Sequence, residues 1–508
     1  MKALYLKYHL PSKNLEMGKS YAFVFQLNEQ RPEAAYFEIP RMDGLYLHFE
    51  GFPGDWIDGK FDAPLNPLED GFTLPVTVTP PIDAPSGKFS VSVQVRLGVN
   101  GAIIAAGFSE EIEIKTQAGA AAVPDPPPAS TEELSTVGLA AALNMTMKSL
   151  PENCGLLLVC SDGNQLLMSA ARGTKDRVKD GEPLSFSNAR DLQLDSFVQS
   201  TRSYDELKGL GKELFHNLSP AIIAWLNRLV ESTPEPPPLL IVDLSGAEIP
   251  WEIIYLDPED DQVDPKGFLG ILTAVSRWDF VKIRGRFRDP DILAQEIRQG
   301  SMISYISTGD VMHVEPEVEA VRLCGGQPFD RIETLLAALD EKRSDVAFVH
   351  IASHGTFDPD DPGAAAIQAT DLEIKVKVLD GHDMWLIKQS HPVVFINACH
   401  SGRKGRLGWS VCGHQEPFLR YGADGFIGVM GRVRSRAASR VAERLMTEIR
   451  RKEVLPVAEI LRRIRLEAEE KAAASDENQK HFLDAFMYVF CGSPLKKVRL
   501  RSADDGRP

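Results

Sequence analysis

Three apolar runs in the C-terminal half of this 508-residue chain constrain its fold most strongly. They cover Val346–Ala352, Pro392–Ala398 and Gly425–Met430, and segments with helical periodicity lie between and after them. Strands that alternate with helices are typical of a largely parallel sheet with covered faces, in which the strands become continuous apolar runs. Residues 291–495 are therefore predicted to be α/β, with a mostly parallel sheet flanked by helices.

The N-terminal part follows a different pattern. In segments such as Lys88–Arg96, polar and apolar positions alternate, and turn signals such as Val99-Asn-Gly separate these segments. Period-two runs between turns predict a small all-β sandwich, which we interpret as a binding or regulatory module. A linker rich in Pro and Ala follows it, and a mixed α/β region precedes the parallel sheet. The predicted boundaries are 1–117 for the sandwich, 118–133 for the linker, 134–290 for the mixed region, 291–495 for the sheet and 496–508 for a tail.

Composition narrows the class of protein. The net charge of −16 does not suit a chain built overall to coat nucleic acid. No run approaches the roughly 18 apolar residues of a membrane span, and the first residues do not resemble a signal peptide. The six cysteines are scattered, without a CxxC pair, as expected of free thiols in a reducing cytoplasm. We therefore expect a cytoplasmic protein that contacts no membrane.

Two of the apolar runs end in reactive residues. The first ends in Ser353-His354-Gly355, and the second ends in Ala398-Cys399-His400-Ser401-Gly402. Functional residues collect beyond the carboxyl ends of strands in open α/β sheets, so neighbouring strands would bring His354 and Cys399 together. A thiol attacks as its thiolate and needs a base to take its proton. Either residue alone is more often structural, but their order and spacing are those of a caspase-type pair, whose His lies about 50 residues upstream.

The motifs Ser353-His-Gly and Ala398-Cys-His-Ser-Gly resemble the paired motifs of clan CD cysteine peptidases. The resemblance is closest to the bacterial CHAT branch, which is related to caspases and separases. Pro250-Trp251-Glu252 resembles a segment found upstream in CHAT proteins, and Tyr488–Pro494 resembles the usual end of the domain. The resemblance covers roughly residues 150–495 and leaves out the predicted sandwich.

The resemblance implies a peptidase mechanism that uses no cofactor. Cys399 would form an acyl-enzyme, His354 would transfer protons, and the backbone N–H groups of Gly355 and Cys399 would hold the oxyanion. Relatives use the residue two positions before the Cys to bind the side chain at the cleavage site. Here that residue is Asn397, whose neutral amide does not fix the charge of the preferred substrate.

The cations just after the nucleophile have two interpretations. Caspase-like proteins are often cut in this segment during activation, and Arg403, Lys404 and Arg406 lie among glycines that would make the loop flexible. They therefore form a possible self-processing site. Alternatively, the cations line a rim or attract an acidic substrate.

Two further patterns have competing interpretations. Cys399, His400, Cys412 and His414 could bind zinc, but their spacing matches no common zinc finger, so we expect no metal. A basic stretch could contact nucleic acid, but it lacks interleaved aromatic residues and contains glutamates, so a solvated helix face is favoured. Its cations are Arg432, Arg434, Arg436, Arg440, Arg444, Arg450, Arg451, Lys452, Arg462, Arg463 and Arg465.

The sequence therefore predicts a cysteine endopeptidase that acts on protein substrates. The resemblance to CHAT proteases implies a regulated effector in a bacterial defence or cell-death system, with a regulatory protein partner bound through the N-terminal module. The alternative is a catalytically silent scaffold that keeps the fold and binds a partner protein.

Overall fold

The structure is a computed structural model, and it describes the residues in the following ranges. In the N-terminal part they are 4–9, 14–16, 21–28, 36–39, 45–50, 57–58, 62–65, 73–80, 87–97 and 103–115. In the remainder they are 153–162, 165–172, 176–178, 184–185, 203–231, 235–243, 248–257, 266–278, 282–283, 286–287, 297–308, 311, 313–326, 328–358, 361–369, 372–379, 381–407, 410–474 and 482–500. The predicted linker at 118–133 lies outside them.

The chain divides into two compact units, one over 1–145 with 284–286 and the other over 146–283 and 287–508. The described strands of the first unit form two five-stranded sheets, ordered β4-β1-β3-β8-β6 and β2-β10-β9-β5-β7. These strands are β1 (Leu4–His9), β2 (Asn14–Glu16), β3 (Tyr21–Asn28), β4 (Tyr36–Ile39), β5 (Leu45–Glu50), β6 (Ile57–Asp58), β7 (Asp62–Leu65), β8 (Thr73–Val78), β9 (Gly87–Leu97) and β10 (Ile103–Lys115). The sandwich stays a prediction, because most side chains that would pack between the sheets lie outside the described residues.

Strands and helices alternate through the rest of the chain. The strands are β11 (Gly155–Asp162), β12 (Gln165–Arg172), β13 (Asp176–Val178), β14 (Leu184–Ser185), β15 (Pro238–Asp243), β16 (Tyr255–Leu256), β17 (Gly267–Phe268), β18 (Ala274–Trp278), β19 (Lys282–Ile283), β20 (Arg286–Phe287), β21 (Ile297–Ile306), β22 (Pro328–Phe329), β23 (Val346–Ala352), β24 (His354–Thr356), β25 (Ala366–Gln368), β26 (Glu373–Lys375), β27 (Val393–Asn397), β28 (Gly405–Leu407), β29 (Ser410–Cys412), β30 (Gly425–Val429), β31 (Tyr488–Gly492) and β32 (Lys497–Leu500). The helices are α1 (Tyr204–His216), α2 (Pro220–Glu231), α3 (Leu269–Leu272), α4 (Glu315–Leu323), α5 (Ile332–Leu339), α6 (Val376–Leu379), α7 (Trp385–Ser390), α8 (Gln415–Tyr421), α9 (Ser435–Ile449) and α10 (Val457–Ala474). Short 3-10 turns cover Trp251–Ile253 and Pro362–Ala364.

One 13-stranded sheet organises this part of the chain. Its main path runs β13-β12-β11-β15-β18-β31-β30-β27-β23-β21-β22, with β14 beside β12 and β32 beside β21. The pairs from β30 through β27 and β23 to β21 are parallel, whereas β31 runs antiparallel to β30. The structure therefore confirms the predicted α/β fold with a mostly parallel sheet. The predicted regions 134–290 and 291–495 both contribute strands to this sheet.

The central strands are apolar because both of their faces are covered. Every residue of β23, β27 and β30 is buried. One core cluster contains Phe348, Phe395 and Leu445, and a second, which contains Val349, Ile396 and Phe418, includes residues from the same strands. Burial of a large aliphatic or aromatic side chain stabilises a fold by about 1.5–3 kcal/mol. These strands therefore contribute strongly to the stability of the sheet.

The end of the chain differs in one respect from the sequence prediction. Residues 497–500, which the sequence places in a tail, form β32 and pair in parallel with the start of β21. A search of the described helices finds none with the length and apolar character needed to cross a membrane.

Candidate active site

The ends of β23 and β27 place His354 and Cys399 on the same edge of the sheet. The two strands pair in parallel, with Ala352 opposite Asn397. The pairing continues one residue further, since the Ser353 N–H donates to the Asn397 carbonyl at 3.3 Å. His354 follows Ser353 on the first segment, and Cys399 follows Ala398 on the second. The strand adjacency that the sequence argument required is thus present.

Gly355 allows direct contact between the segment that carries His354 and the segment that carries Cys399. A Cβ atom at this position would collide with the carbonyl oxygen of Cys399 and would lie 3.1 Å from the Cβ of Ala398. Any side chain at residue 355 would therefore push the histidine segment away from the nucleophile segment. The glycine is needed here for close approach of two backbones, which is a common reason for glycine beside a reactive site.

Cys399 is the one partly exposed thiol among the four cysteines whose side chains are described. Its Sγ lies 3.7 Å from the carbonyl oxygen of Val433. Burial raises the pKa of Cys154 to about 12 and that of Cys324 to about 11, so neither of these holds a useful thiolate fraction at neutral pH. Exposure therefore favours Cys399 as the nucleophile. The side chain of His354 is exposed on the β24–β25 hairpin.

A tight turn carries the chain away from the nucleophile. His400 adopts a positive φ of 62°, and its N–H donates to the Gly431 carbonyl at 3.0 Å. The Ser401 hydroxyl donates to the Ile396 carbonyl at 2.7 Å and accepts from the Val429 N–H at 3.0 Å. A left-handed conformation is costly for a residue other than glycine, and the surrounding hydrogen bonds hold it. The backbone around Cys399 is therefore rigid.

A chain of buried polar groups lies beneath the nucleophile. The Asn397 amide donates to Glu317 Oε1 at 2.8 Å, and its oxygen accepts from the Tyr488 hydroxyl at 2.8 Å. The same Oε1 lies 2.9 Å from His350 Nε2, while His350 Nδ1 lies 2.9 Å from Ser304 Oγ. Buried polar groups are expensive unless they are paired, so this network specifies one arrangement of α4, β23, β27 and β31.

The environment of Asn397 bears on its predicted role in a substrate pocket. Both of its N–H bonds are committed, one to Glu317 and one to the Ala438 carbonyl at 3.2 Å. The side chain is only 5% exposed. Substrate could reach this amide only by exchanging one of these buried bonds. A pocket role for Asn397 thus remains a prediction. Its observed contacts fix the end of β27, which carries Cys399 two residues later.

The loop after the nucleophile is anchored by a buried ion pair. Arg403 Nε and Nη2 donate to Glu248 Oε2 at 3.2 and 3.1 Å, and the Lys404 N–H donates to Oε1 at 2.7 Å. The Arg403 guanidinium also lies 4.7 Å from the centre of the Phe357 ring. Burial raises the pKa of Glu248, and Arg403 acts against that rise. The sequence predicts a flexible, cleavable loop, but a cut after Arg403 would require this pair to open.

The other members of the possible processing site are less constrained by contacts. Lys404 is half-buried, and the side chain of Arg406 lies outside the described residues. Self-processing at Arg403, Lys404 or Arg406 therefore stays a prediction.

The Pro250-Trp251-Glu252 segment has a structural role. Glu252 is buried and forms a forked pair with Arg277, whose Nε donates at 3.1 Å and whose Nη2 donates to the second oxygen. Burial acts to raise the pKa of Glu252, but Arg277 outweighs it, so the pKa is lowered. Trp251 is fully buried and its indole N–H donates to Asp243 at 3.4 Å. This segment lies in the connection between β15 and β18, and Trp251 packs in the hydrophobic core.

The alternative interpretation of a zinc site depends in part on Cys412, whose side chain lies outside the described residues. Within the described ranges, no group of three or more His, Cys, Asp or Glu side chains is placed to hold a metal ion. His414 is fully buried, and burial lowers its pKa to about 4. At pH 7 this enclosed ring is therefore neutral.

Most cations of the basic stretch are occupied by carboxylates or carbonyls. Ion pairs engage Arg434 with Asp484, Arg444 with Glu448 and Glu467, Arg451 with Glu448, and Arg462 and Arg463 with Glu459. Arg465 is buried and donates to the Tyr488 carbonyl at 2.7 Å. The stretch is thus a mixture of structural pairs and a few exposed cations.

Sequence reasoning missed several residues around the site. Glu317, Tyr488 and Glu248 were not singled out by themselves, although Tyr488 begins the segment that resembles the end of the domain. Glu317 and Asn397 are 80 residues apart, and Glu248 and Arg403 are 155 apart. No local pattern connects residues at such distances.

Comparison with known proteins gives one family match. Residues 247–484 match the family model of the CHAT domain. No curated protein matches the chain significantly.

Similar solved structures include two of the separase–securin complex from Saccharomyces cerevisiae. Each has 12% identity and covers 71% of this chain and 31% of that chain, with TM-scores of 0.43 and 0.40. The complex of pro- and mature domains of RgpB from Porphyromonas gingivalis has 11% identity and a TM-score of 0.34. It covers 58% of this chain and 76% of that chain. This chain therefore spans about a third of the length of the separase chain that it matches.

Proposed function

We propose that this protein is a caspase-like cysteine endopeptidase with Cys399 as nucleophile and His354 as general base and acid. The observation that carries the proposal is the junction of two parallel strands. A partly exposed thiol and an exposed imidazole follow neighbouring strand ends, and Gly355 packs on the Cys399 carbonyl. Both residues lie in the region that matches the family model of the CHAT domain.

The reaction that fits these groups is acyl transfer. The Cys399 sulfur attacks the carbonyl carbon of the scissile peptide while His354 takes the thiol proton, and a tetrahedral oxyanion forms. His354 then gives that proton to the departing amine, which leaves an acyl-enzyme. Water attacks the thioester with His354 again as base, and the acid product and free thiol result. A positioned general base contributes about 10²–10⁴ in rate.

The oxyanion needs preorganised donors, for which we propose the backbone N–H groups of Gly355 and Cys399. Removing one such donor typically costs about 3 kcal/mol in the barrier. The rigid turn at His400 and Ser401 supports this assignment, because donors that do not reorganise during the reaction stabilise the transition state most. No metal or cofactor enters the proposed mechanism.

Regulation is proposed for residues 1–145 of the first unit, which lie outside the matched region. Its sheets would dock a regulatory or activating protein partner, as the sequence analysis expects. We place the protein, as a proposal, among the regulated effectors of bacterial defence or cell death in the cytoplasm.

Cleavage of a peptide library by the purified full chain tests the activity. We expect cleavage by the wild-type protein, with and without a candidate partner, and none by Cys399→Ala or His354→Ala. The two losses should not add in the double variant, because the residues act as a unit. Equal cleavage by wild type and Cys399→Ala would refute the assignment. Partner binding without any cleavage would instead support the silent scaffold.

A further inference from the structure

The segment after β30 borders the nucleophile. The Gly431 carbonyl accepts the His400 N–H at 3.0 Å, and the Val433 carbonyl lies 3.7 Å from the Cys399 sulfur. Helix α9 begins two residues later, at Ser435. Residues 432–436, which lead into α9, therefore lie next to backbone that contacts the nucleophile and its turn.

Three arginines on this segment share an unusual property. Among the arginines whose side chains the structure describes, only Arg432, Arg436 and Arg440 form no hydrogen bond or ion pair. The others are engaged by carboxylates, by backbone carbonyls or by other described contacts. All three are exposed. We call these three residues the basic rim.

The arrangement of the basic rim suits a ligand with more than one negative charge. Arg436 and Arg440 are one helical turn apart and lie on the same face of α9. Between Arg432 and Arg436, Arg434 is held by Asp484, to which its Nε and Nη2 donate at 2.9 and 2.6 Å. Glu443, the next acid along α9, forms no ion pair with Arg440. The rim is thus a local positive surface on a chain whose net charge is −16.

A guanidinium without a partner is well suited to a carboxylate, which it binds through two parallel N–H bonds. Placed beside a nucleophile, such groups would raise the local concentration of acidic peptides and fix their register. Single-stranded nucleic acid is disfavoured, because the segment 431–440 contains no aromatic side chain on which bases could stack. The charge pattern therefore points to a peptide.

We propose that the basic rim binds acidic side chains close to the scissile bond, so that the protein selects substrates with clustered Asp or Glu residues. This inference rests on the proposed peptidase function, of which it names the substrate class. The acidic side chains that the basic rim binds can lie on either side of the cleaved bond.

Binding to the inactive full chain tests the inference separately from catalysis. Fluorescein-labelled ten-residue peptides rich in Glu are compared with peptides in which each Glu is replaced by Gln, using Cys399→Ala and fluorescence anisotropy. We expect the acidic peptides to bind about tenfold more tightly, with the preference falling as salt is raised. The added triple substitution Arg432→Gln, Arg436→Gln and Arg440→Gln should abolish that preference.

A matched triple variant controls for net charge. Arg322→Gln, Arg331→Gln and Arg343→Gln remove three exposed or half-buried arginines that already have acidic partners, and should leave the preference unchanged. Equal binding of Glu and Gln peptides, or equal losses in the two triple variants, would overturn the inference. Tighter binding of a single-stranded oligonucleotide of the same charge would also overturn it, in favour of nucleic acid. Cleavage plays no part in this assay, so a failure of the proposed chemistry leaves the result readable.

Discussion

The buried pair between Arg403 and Glu248 gives the sharpest test of how the nucleophile loop is held. Replacing Arg403 with Met keeps most of the side chain's volume but removes its cation. Glu248, with a side chain only 4% exposed, would then keep the backbone N–H of Lys404 as its remaining described donor. A buried carboxylate that has lost its cation is strongly unfavourable in its charged form.

The expected loss of stability in Arg403→Met can be estimated from the contacts that the arginine makes. Removing one partner of a buried pair typically costs about 3–5 kcal/mol, and the retained Lys404 bond places this case near the lower end. Loss of the contact with Phe357 adds about 0.5–1 kcal/mol. We therefore expect Arg403→Met to lower the free energy of unfolding by about 3–4 kcal/mol at pH 7. The double variant Glu248→Gln, Arg403→Met should be the more stable of the two, because it buries no charge.

Urea-induced unfolding of the full chain, followed by tryptophan fluorescence, measures these differences. Burial already raises the pKa of Glu248, and loss of the cation raises it further. A buried carboxyl with a raised pKa destabilises the fold only when it is charged. The loss in free energy of unfolding caused by Arg403→Met should therefore be small in acid and grow as pH rises. Arg322→Met, at an exposed pair, should change stability by less than about 0.5 kcal/mol. A loss below about 1 kcal/mol for Arg403→Met, or one independent of pH, would refute the reasoning.

Three further predictions concern the surroundings of the site. Burial raises the pKa of Asp484 from 3.8 to about 6. Urea titrations should therefore show the wild-type protein losing about 2–2.5 kcal/mol of stability relative to Asp484→Asn between pH 4 and pH 7. Asn397→Ala should cost about 2–4 kcal/mol and Asn397→Asp more, because the aspartate would lie against Glu317; equal costs would contradict this. Intact-mass analysis after incubation should show a fragment beginning near residues 404–407 in the wild type but not in Cys399→Ala, and identical masses would end the self-processing hypothesis.

The sheet could be predicted from sequence because its signals are local. The apolar run Val346–Ala352 is β23 with identical bounds. A fully buried strand and an amphipathic helix each carry their pattern within a few residues. The position of His354 and Cys399 beyond two strand ends followed from the same patterns, once the strands were taken as neighbours.

The support beneath the site could not be predicted in the same way. The contact of Glu317 with Asn397 and that of Glu248 with Arg403 join residues far apart in the chain, and charged residues at such positions look like surface residues in the sequence. In the loop at 403–406, the glycines and cations indicate a flexible segment in the sequence, whereas the structure buries the Arg403 side chain against Glu248. Only the tertiary structure shows that Arg403 is buried by a distant carboxylate.

The central claim is that His354 activates Cys399, and the rate of Cys399 alkylation by iodoacetamide at pH 7 tests it most directly. Peptide mass analysis of the labelled full chain measures that rate in the wild type, in His354→Ala and in a control, His382→Ala, whose half-buried histidine pairs with Asp340. Because the thiolate is the reactive form, His354→Ala should slow the labelling at least about tenfold, while the control matches the wild type. Equal labelling rates in the wild type and His354→Ala would contradict the pairing on which the proposed function rests.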